Sequence, residues 1–574
     1  MRKSILWTIF IPALLLASSC NSTKIGDIAV FGSIYTASDE MPVAEAMVIK
    51  DGKYIYVGDK EGAMGFIKEG RTQVYDRTGA GMVMPGATDG HCHRLTGNLI
   101  PLLGSIHLTN EDYAPDILAK VKEKCTELKA QGKTSLFAFG FSQFNLMDKG
   151  FPTLAQLDEA GQGIAVILYD DSGHAALANS VCMRNAGLID EDGKLLFSEV
   201  RGGEIETDGN GCPTGFITER AISIFLRYGG VDVAELIDRS IVRKTIELSQ
   251  HQLHSNGYTN AFDAWTNNFH PLYWYEELAG MDKEGRLKVN YTVCYEIEPW
   301  LSDIDKEIKY NAGLVDKYTT PHLHPNVLKM FMDGCVETNT GYILEDYPES
   351  DITGPIWTKD EVAGIVAKAN AKGLTVHMHT MGDAAVRLTT DAFIEGGREG
   401  FRNAMVHMRN VRPEDYARIA EHNIACVAGL HWHMSPSREQ CPDLPEYYLT
   451  HAYPIRSFFD NGIKVSSHTD FPANTGAPLD IFGIMEIAVT GMNSPDDKVV
   501  EPQELVSREQ AFKALTINGA WQLYLENERG SIEVGKYADF LFADKDVFKC
   551  PANEIHTAKV QEVFVEGEHV YSLE

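Results

Sequence analysis

Three metal-binding side chain types stand close together in the run Asp89-Gly90-His91-Cys92-His93. This run follows an apolar segment at 82–86 that predicts a β-strand. Residues two apart on a strand face the same side, so His91 and His93 can bind one ion while Cys92 faces away. The spacing predicts a metal site at the end of a buried strand, and two packed core histidines are the alternative.

Spacing alone does not mark a site, because the chain has four His-x-His pairs among its 19 histidines. The pair in Pro321-His322-Leu323-His324-Pro325 is bracketed by prolines, which favour a surface loop or an extended segment leading into a strand. The pair in His431-Trp432-His433 follows another predicted strand. An aromatic pocket wall is a better interpretation of that run than a third metal site.

Four further candidates lie at or near the ends of apolar, strand-like runs: Lys329 in Val327–Met332, His379 at the end of 374–379, His407 after 404–406, and Asp470 after 463–468. In barrels of parallel strands, catalytic residues lie at the carboxyl ends of the strands, and all four candidates satisfy that rule. A polar network is the alternative for each histidine, and a turn residue is the alternative for Asp470.

Lys329 is the least ordinary of these residues, because a bare cation within so apolar a run is costly. The lysine must therefore be paired, neutral or chemically modified. A carbamylated lysine carries a carboxylate that can bridge two metal ions, which would explain its position. Pairing with Asp333 and direct contact with a substrate are the alternatives.

Alternating patterns along the chain predict the architecture. Strand-like runs, including 164–169, alternate with helical candidates such as Ala114–Ala130 and Lys359–Ala371, as in a parallel sheet with crossover helices. We therefore predict an α/β fold with a TIM-like (β/α)8 barrel over residues 85–526. Short alternating runs near both ends predict a small β-sandwich formed jointly by residues 21–84 and 527–574.

The amino terminus predicts export. Residues 1–20 contain a basic start, an apolar run and Ala17-Ser18-Ser19-Cys20, which is similar to a bacterial lipobox. Cys20 would carry the lipid and hold the protein at the bacterial cell envelope, on the periplasmic or outer side. An uncleaved anchor helix is the alternative. The cysteines after Cys20 predict no disulfide framework.

Composition limits the partners. The chain has 574 residues and a formal net charge of −30, which opposes binding to nucleic acid or to an anionic membrane surface. We expect a small-molecule substrate, membrane contact only through the lipid anchor, and a homo-oligomer as one option. No nucleotide or flavin motif is present, so we expect no organic cofactor.

The chain resembles the amidohydrolase superfamily, and within it the YtcJ-like or family 3 branch, over residues 25–570. The most specific matches are at 85–93, 171–176, 213–219, 329–334, 379–383 and 530–540. The resemblance implies a first metal on His91 and His93, a second on His379 and His407, a bridging carboxylated Lys329, and Asp470 in contact with metal and protons.

These residues predict metal-assisted hydrolysis, in which a metal-bound hydroxide attacks a carbonyl carbon and Asp470 moves the proton. Two zinc ions are the default, although manganese, iron or cobalt suits the same ligands. His174 would hydrogen-bond the substrate or serve the structure, and Glu219 would be a functional residue or an ordinary helix start.

Three functions fit the sequence. The first is cleavage of an amide-type carbon–nitrogen bond in an N-acylated or N-formylated small molecule. The second is a lactonase or deaminase that uses the same site. The third is a noncatalytic binding lipoprotein, although a binder has no chemical need for metal ligands at strand ends.

Overall fold

A computed structural model describes residues 25–102, 106–196, 200–227, 229–264, 271–301, 303–336, 339–345, 354–434, 444–473, 477–492, 499 and 501–574. The strands are β1 Ile28–Tyr35, β2 Val43–Lys50, β3 Lys53–Gly58, β4 Gln73–Asp76, β5 Met82–Pro85, β6 Ala87–Cys92, β7 Ser135–Phe141, β8 Ala165–Asp170, β9 Ala175–Ala178, β10 Gly203–Thr207, β11 Pro213–Glu219, β12 Tyr258–Asp263, β13 Asn290–Glu296, β14 Leu323–Phe331, β15 Thr375–Thr380, β16 Ala404–His407, β17 Ala425–Ala428, β18 Val465–Ser467, β19 Phe540–Ala543, β20 Val560–Val565 and β21 Glu568–Ser572.

The helices are α1 Lys60–Ala63, α2 Arg94–Leu102, α3 Ala114–Ala130, α4 Gln143–Lys149, α5 Leu154–Gly161, α6 Ser180–Asn185, α7 Ile222–Arg227, α8 Val233–Leu236, α9 Arg239–Ser255, α10 Pro271–Lys283, α11 Ile304–Tyr318, α12 Lys359–Asn370, α13 Asp383–Gly396, α14 Pro413–Glu421, α15 Glu446–Thr450, α16 Ile455–Asp460, α17 Ile481–Thr490, α18 Arg508–Leu515 and α19 Ile517–Gln522. Short 3-10 turns cover Met64–Phe66, Leu430–Met434, Pro502–Glu504 and Ala552–Thr557.

The barrel sheet contains eight strands in the order β18-β17-β16-β15-β14-β13-β12-β6, and each neighbouring pair is parallel. Two backbone hydrogen bonds close the gap between its ends: Asp470 N donates to His91 O at 3.0 Å, and His93 N donates to Phe471 O at 2.7 Å. The predicted (β/α)8 fold is confirmed, and closure brings Asp470 beside the histidines of β6.

Both chain ends jointly build one eight-stranded sheet, which is consistent with the predicted β-sandwich. Its order is β21-β20-β19-β5-β1-β2-β3, with β4 beside β1, and β19 pairs antiparallel with β5. Apolar clusters cover both faces, one around Val30 and Phe540 and the other around Phe31 and Val48. The predicted domain boundaries stay predictions.

The structure corrects one strand assignment. The run 164–169 was predicted within the barrel, but β8 lies in a separate five-stranded sheet with the order β10-β11-β9-β8-β7. This inserted sheet lies between β6 and β12 in the chain. A buried parallel strand has the same apolar sequence pattern in either sheet, so periodicity could not distinguish them.

Local sequence determines where the predicted helices begin. Helix α12 starts after Thr358, whose hydroxyl accepts from Glu361 N at 3.3 Å while Glu361 Oε2 accepts from Thr358 N at 2.8 Å. This reciprocal cap satisfies two backbone donors at the helix start. Helix α3 covers the predicted residues 114–130. Among the described residues, no helix is both long and apolar enough to cross a membrane.

Candidate metal centre and its cleft

A cleft opens at the carboxyl ends of the barrel strands and encloses about 970 Å³, including its solvent-open mouth. Active sites of such barrels lie at this end. The structure brings all six predicted metal ligands to its wall, together with the predicted His174. The six ligands are His91, His93, Lys329, His379, His407 and Asp470.

His91, His93 and Asp470 form the tightest group in the cleft. Asp470 Oδ1 lies 3.3 Å from His91 Nε2 and 3.3 Å from His93 Nε2. One donor atom from each residue lies within 4.8 Å of the other two, a spacing that suits a single metal ion. Cys92 faces away, as predicted, and its Sγ lies 3.6 Å from Phe262 O in the buried core.

His377 orients His91, a role that the sequence did not predict. His377 Nε2 lies 3.0 Å from His91 Nδ1, and the two rings are stacked. If His91 Nδ1 donates this hydrogen bond, its Nε2 carries a lone pair directed towards Asp470. Such partners of metal-binding histidines fix the ring orientation and tautomer. The His-x-His spacing of His377 with His379 was the available sequence clue.

Asp89 holds the segment that carries Asp470. Its carboxylate accepts from Thr469 N at 2.9 Å and from Thr469 Oγ1 at 2.6 Å. Asp89 is fully buried, and Arg94 Nε lies 3.8 Å from it. Charge-assisted bonds of this length are strong, so Asp89 ties the end of β18 to β6.

His379 and His407 form the other side of the centre. Their ring centroids lie 4.7 Å apart, and Trp432 stacks on His407 at 5.2 Å. His407 has φ +73° and Asp470 has φ +52°, a left-handed conformation that costs a side-chain-bearing residue about 1–3 kcal/mol. Such backbone strain is concentrated at functional sites, which fits the position of both residues.

Lys329 points into the centre. It is 1% exposed, and its Nζ has no hydrogen-bond partner among the described residues. Asp333, its suggested partner, instead accepts from the backbone N–H groups of Met381, Gly382 and Tyr342 at 2.8–3.0 Å. The Asp333 pairing was therefore wrong. Burial lowers the pKa of Lys329 to about 8.

Burial also keeps the histidine rings neutral, which is the form that binds metal. It holds the pKa of His91, His379 and His407 well below the ordinary value, and the Lys329 cation lowers it further. Histidine binds metal only as the neutral ring. Burial raises the pKa of Asp470, but the hydrogen bond with His93 and the charged groups around it, including Lys329, together lower it by more, so Asp470 is a carboxylate at neutral pH.

The inserted sheet supplies His174 and Glu219. His174 Nδ1 lies 2.9 Å from Glu219 Oε2, and Glu219 Oε1 accepts from Thr340 Oγ1 at 2.8 Å. Glu219 ends strand β11, and the next helix begins only at Ile222, so an ordinary helix start is the wrong interpretation. Cys335, which the sequence did not predict as a site residue, lies beside His174.

Arg220 also lines the cleft and was not predicted. Glu296 and Glu298 bind its guanidinium, which lies 4.0 Å from the centroid of the Phe331 ring. All three charged groups are largely buried. The sequence held no clue to this cluster, because Arg220 and the glutamates are separated by more than 70 residues.

The remaining predicted residues are outside the proposed set of metal ligands. Trp432 forms part of the cleft wall as expected, whereas His431 is buried against His468 and Trp432. The side chain of His433 and all of Cys20 lie outside the described residues. The surface-loop interpretation of His322 and His324 was wrong, whereas the alternative of an extended segment leading into a strand is confirmed. His324 lies within β14, and His322 bonds Asp282 at 2.7 Å.

Comparison with known proteins identifies the family of this chain. A sequence profile of the amidohydrolase family matches residues 73–571. N-substituted formamide deformylase of Arthrobacter pascens is 24% identical over 95% of this chain and 98% of its own. Exoenzymes regulatory protein AepA of Pectobacterium carotovorum is 29% identical over 63% of this chain and 74% of its own.

One solved structure extends the comparison. An uncharacterized metal-dependent hydrolase from Pyrococcus furiosus has a TM-score of 0.66 and 25% identity, covering 91% of this chain and all of that one. The family profile match, residues 73–571, includes every residue that lines the cleft. The chain therefore belongs to the amidohydrolase family, in its family 3 branch, and is a metal-dependent amidohydrolase acting on carbon–nitrogen bonds.

Proposed function

We propose that the cleft hydrolyses the carbon–nitrogen bond of an N-acylated or N-formylated small molecule at a two-metal centre. The convergence of His91, His93 and Asp470 on one point, with Lys329 directed into the same cleft, carries the proposal. His91, His93 and Asp470 would hold one ion, and His379 and His407 would hold the second. Zinc suits these nitrogen and carboxylate ligands.

A carboxylated Lys329 would join the two ions. Its buried Nζ lacks a hydrogen-bond partner among the described residues, which is costly for a lysine that stays an amine. A carboxylate on Nζ would be an anionic ligand beside the neutral imidazoles, whereas a cationic Nζ would repel a bound metal ion. The donor set therefore fits two divalent ions.

The chemistry divides between metal and side chains. Bound divalent metal lowers the pKa of water and polarises a carbonyl group. Asp470 would accept the proton of the attacking water and return it to the leaving nitrogen, since its Oδ1 faces the centre. His174 would donate a hydrogen bond to the substrate from the opposite, inserted sheet.

The cleft walls favour a neutral substrate. Phe139, Phe331 and Trp432 line the cleft and supply apolar surface. Arg220 also lines it, but Glu296 and Glu298 already neutralise its charge. Among the described lining residues, no unpaired guanidinium is available for a substrate carboxylate. N-substituted amides with an apolar substituent fit these walls. The relative named N-substituted formamide deformylase supports a formamide among them.

We also infer that this catalytic body is tethered to the cell envelope through a lipid on Cys20. Support comes from the sequence of residues 1–20. Radiolabelled palmitate should label the wild-type protein in a bacterial host but not the Cys20→Ser variant. Equal labelling of the two proteins would overturn the inference.

A substrate panel tests the proposed reaction. Zinc-loaded protein lacking residues 1–20 would be assayed against N-substituted formamides, N-acetyl amines, aminopurines and lactones by mass spectrometry. The formamide or acetamide should have the highest kcat/KM, and Asp470→Asn should remove turnover of every substrate. A higher kcat/KM for a lactone or an aminopurine would overturn the assignment.

A further inference from the structure

Three side chains at the cleft wall form a connected relay outside the predicted metal ligands. Cys335 Sγ lies 3.3 Å from His174 Nε2, and His174 Nδ1 lies 2.9 Å from Glu219 Oε2. Thiol, imidazole and carboxylate thus stand in the order that activates a nucleophile. Both Cys335 and His174 line the cleft, so a molecule entering the cleft can reach the sulfur.

Thr340 holds the relay together. Its hydroxyl donates to Glu219 Oε1 at 2.8 Å and accepts from Cys335 N at 2.9 Å. One side chain therefore fixes both the carboxylate and the backbone of the cysteine. The backbone N of Glu219 also donates to His174 O at 2.9 Å, which fixes the other pair.

We propose that Cys335 is a reactive thiolate that small, soft electrophiles modify covalently when they enter the cleft. His174 takes the thiol proton, and Glu219 stabilises the resulting imidazolium. An adduct on Sγ would stand in the cleft and obstruct the metal centre, so modification would regulate access to it.

The charge distribution supports this assignment. Burial opposes a positive charge on His174, yet the Cys335 sulfur and the Glu219 carboxylate raise its pKa well above the ordinary value. A protonated ring there faces the sulfur at 3.3 Å and the Glu219 carboxylate at 2.9 Å. A thiol beside a histidine cation loses its proton more readily than an isolated thiol.

Iodoacetamide provides the probe and a balanced reaction. The Cys335 thiolate attacks the CH₂ carbon, a sulfur–carbon bond forms, and iodide leaves with the electron pair of the carbon–iodine bond. The thiol proton stays on His174 until solvent removes it. No oxidant or reductant takes part.

The chain contains its own controls. Cys212 is partly exposed like Cys335 but has no histidine hydrogen-bonded to its thiol among the described residues, whereas Cys92 and Cys125 are buried. An ordinary thiol of pKa ~8.5 is about 3% thiolate at pH 7, so complete ionisation raises the reactive fraction about 30-fold. Lower intrinsic nucleophilicity of an acidic thiol offsets part of this gain.

The experiment measures labelling rates at each cysteine by peptide mass spectrometry, using the full chain at pH 7. Cys335 should react about tenfold faster than Cys212, and His174→Asn and Glu219→Gln should each remove most of that advantage. Equal rates at Cys335 and Cys212 in the wild-type protein would overturn the proposal. An unchanged Cys335 rate in both variants would overturn the relay.

Two further measurements separate this proposal from misfolding and from the hydrolytic assignment. Slow labelling of the buried Cys92 and Cys125 shows that a variant is folded. If these two cysteines react quickly in His174→Asn, that variant is misfolded. The relay is then tested by Glu219→Gln and by the ratio of the Cys335 and Cys212 labelling rates in the wild-type protein. Asp470→Asn should keep the fast labelling of Cys335, because the relay does not depend on hydrolysis. If complete labelling of Cys335 in the wild-type protein leaves turnover unchanged, modification of Cys335 does not regulate access to the metal centre.

Discussion

Metal loading should depend on dissolved carbon dioxide and on pH through Lys329. Carbon dioxide reacts only with the neutral amine, and burial lowers the pKa of Lys329 to about 8. About 10% of this amine is neutral at pH 7, against about 0.03% for a lysine of pKa ~10.5, a gain of about 300-fold. The neutral fraction should rise about fivefold from pH 7 to 8 and less than twofold from pH 8 to 9.

The assay follows metal-stripped protein during reloading with zinc at a fixed pressure of ¹³C-labelled carbon dioxide. Carbon-13 NMR detects the carbamate, and elemental analysis gives zinc per chain. Lys329→Ala should show no protein carbamate and bind zinc at least tenfold more weakly, with partial rescue by a short carboxylic acid. Lys372→Ala, which changes an exposed lysine, is the matched control.

Two results would refute this reasoning. A loading rate that rises tenfold for each pH unit up to pH 9 would show that Lys329 has an ordinary pKa. Zinc binding that is equal with and without carbon dioxide would show that the lysine holds the ions without modification, or does not hold them.

Three further predictions concern residues around the centre and the contact between sheets. His377→Asn should weaken zinc binding about 10–100-fold, because His91 loses the partner that orients it; unchanged zinc affinity in a titration would contradict that role. Thr469→Val should lower the free energy of unfolding in urea by about 1–3 kcal/mol and lower kcat, because Asp89 loses a 2.6 Å hydrogen bond. A loss of unfolding free energy no larger than in the exposed control Thr450→Val would contradict this role of Thr469. His322→Asn should lower the free energy of unfolding by about 2–3 kcal/mol at pH 6 and by much less at pH 10, and an equal loss at both pH values would contradict it.

The sign of the His322 effect follows from its pKa. Burial lowers this pKa, but Asp282 and Glu566 raise it by more, to about 9 from 6.5. The stabilisation is therefore fully present below pH 6.5 and is lost as the pH rises through about 9. A shift of about 2.5 units corresponds to about 3 kcal/mol, which partial exposure of the ring reduces.

Local patterns predicted the elements that carry the centre. His91 and His93 share a strand, so their common face follows from a two-residue spacing alone. Lys329 stood out because a cation within an apolar strand needs an explanation. The parallel arrangement then placed these residues at one end of the barrel, together with His379, His407 and Asp470.

Contacts between distant segments were beyond the sequence. The relay of Cys335, His174 and Glu219 joins residues up to 161 positions apart, and no local pattern relates them. Asp333 lay near Lys329 in sequence, but the barrel turned its carboxylate towards backbone N–H groups instead. The inserted sheet was missed because its buried strand β8 has the apolar composition of a barrel strand.

Elemental analysis of metal per chain tests the central claim most directly. Protein lacking residues 1–20 would be purified without chelator and in the presence of bicarbonate, beside the His91→Ala and His379→Ala variants. The two-metal centre predicts about two divalent ions per wild-type chain and a reduced count in each variant. A wild-type chain that holds no ion after reloading, or variants that keep two, would contradict it.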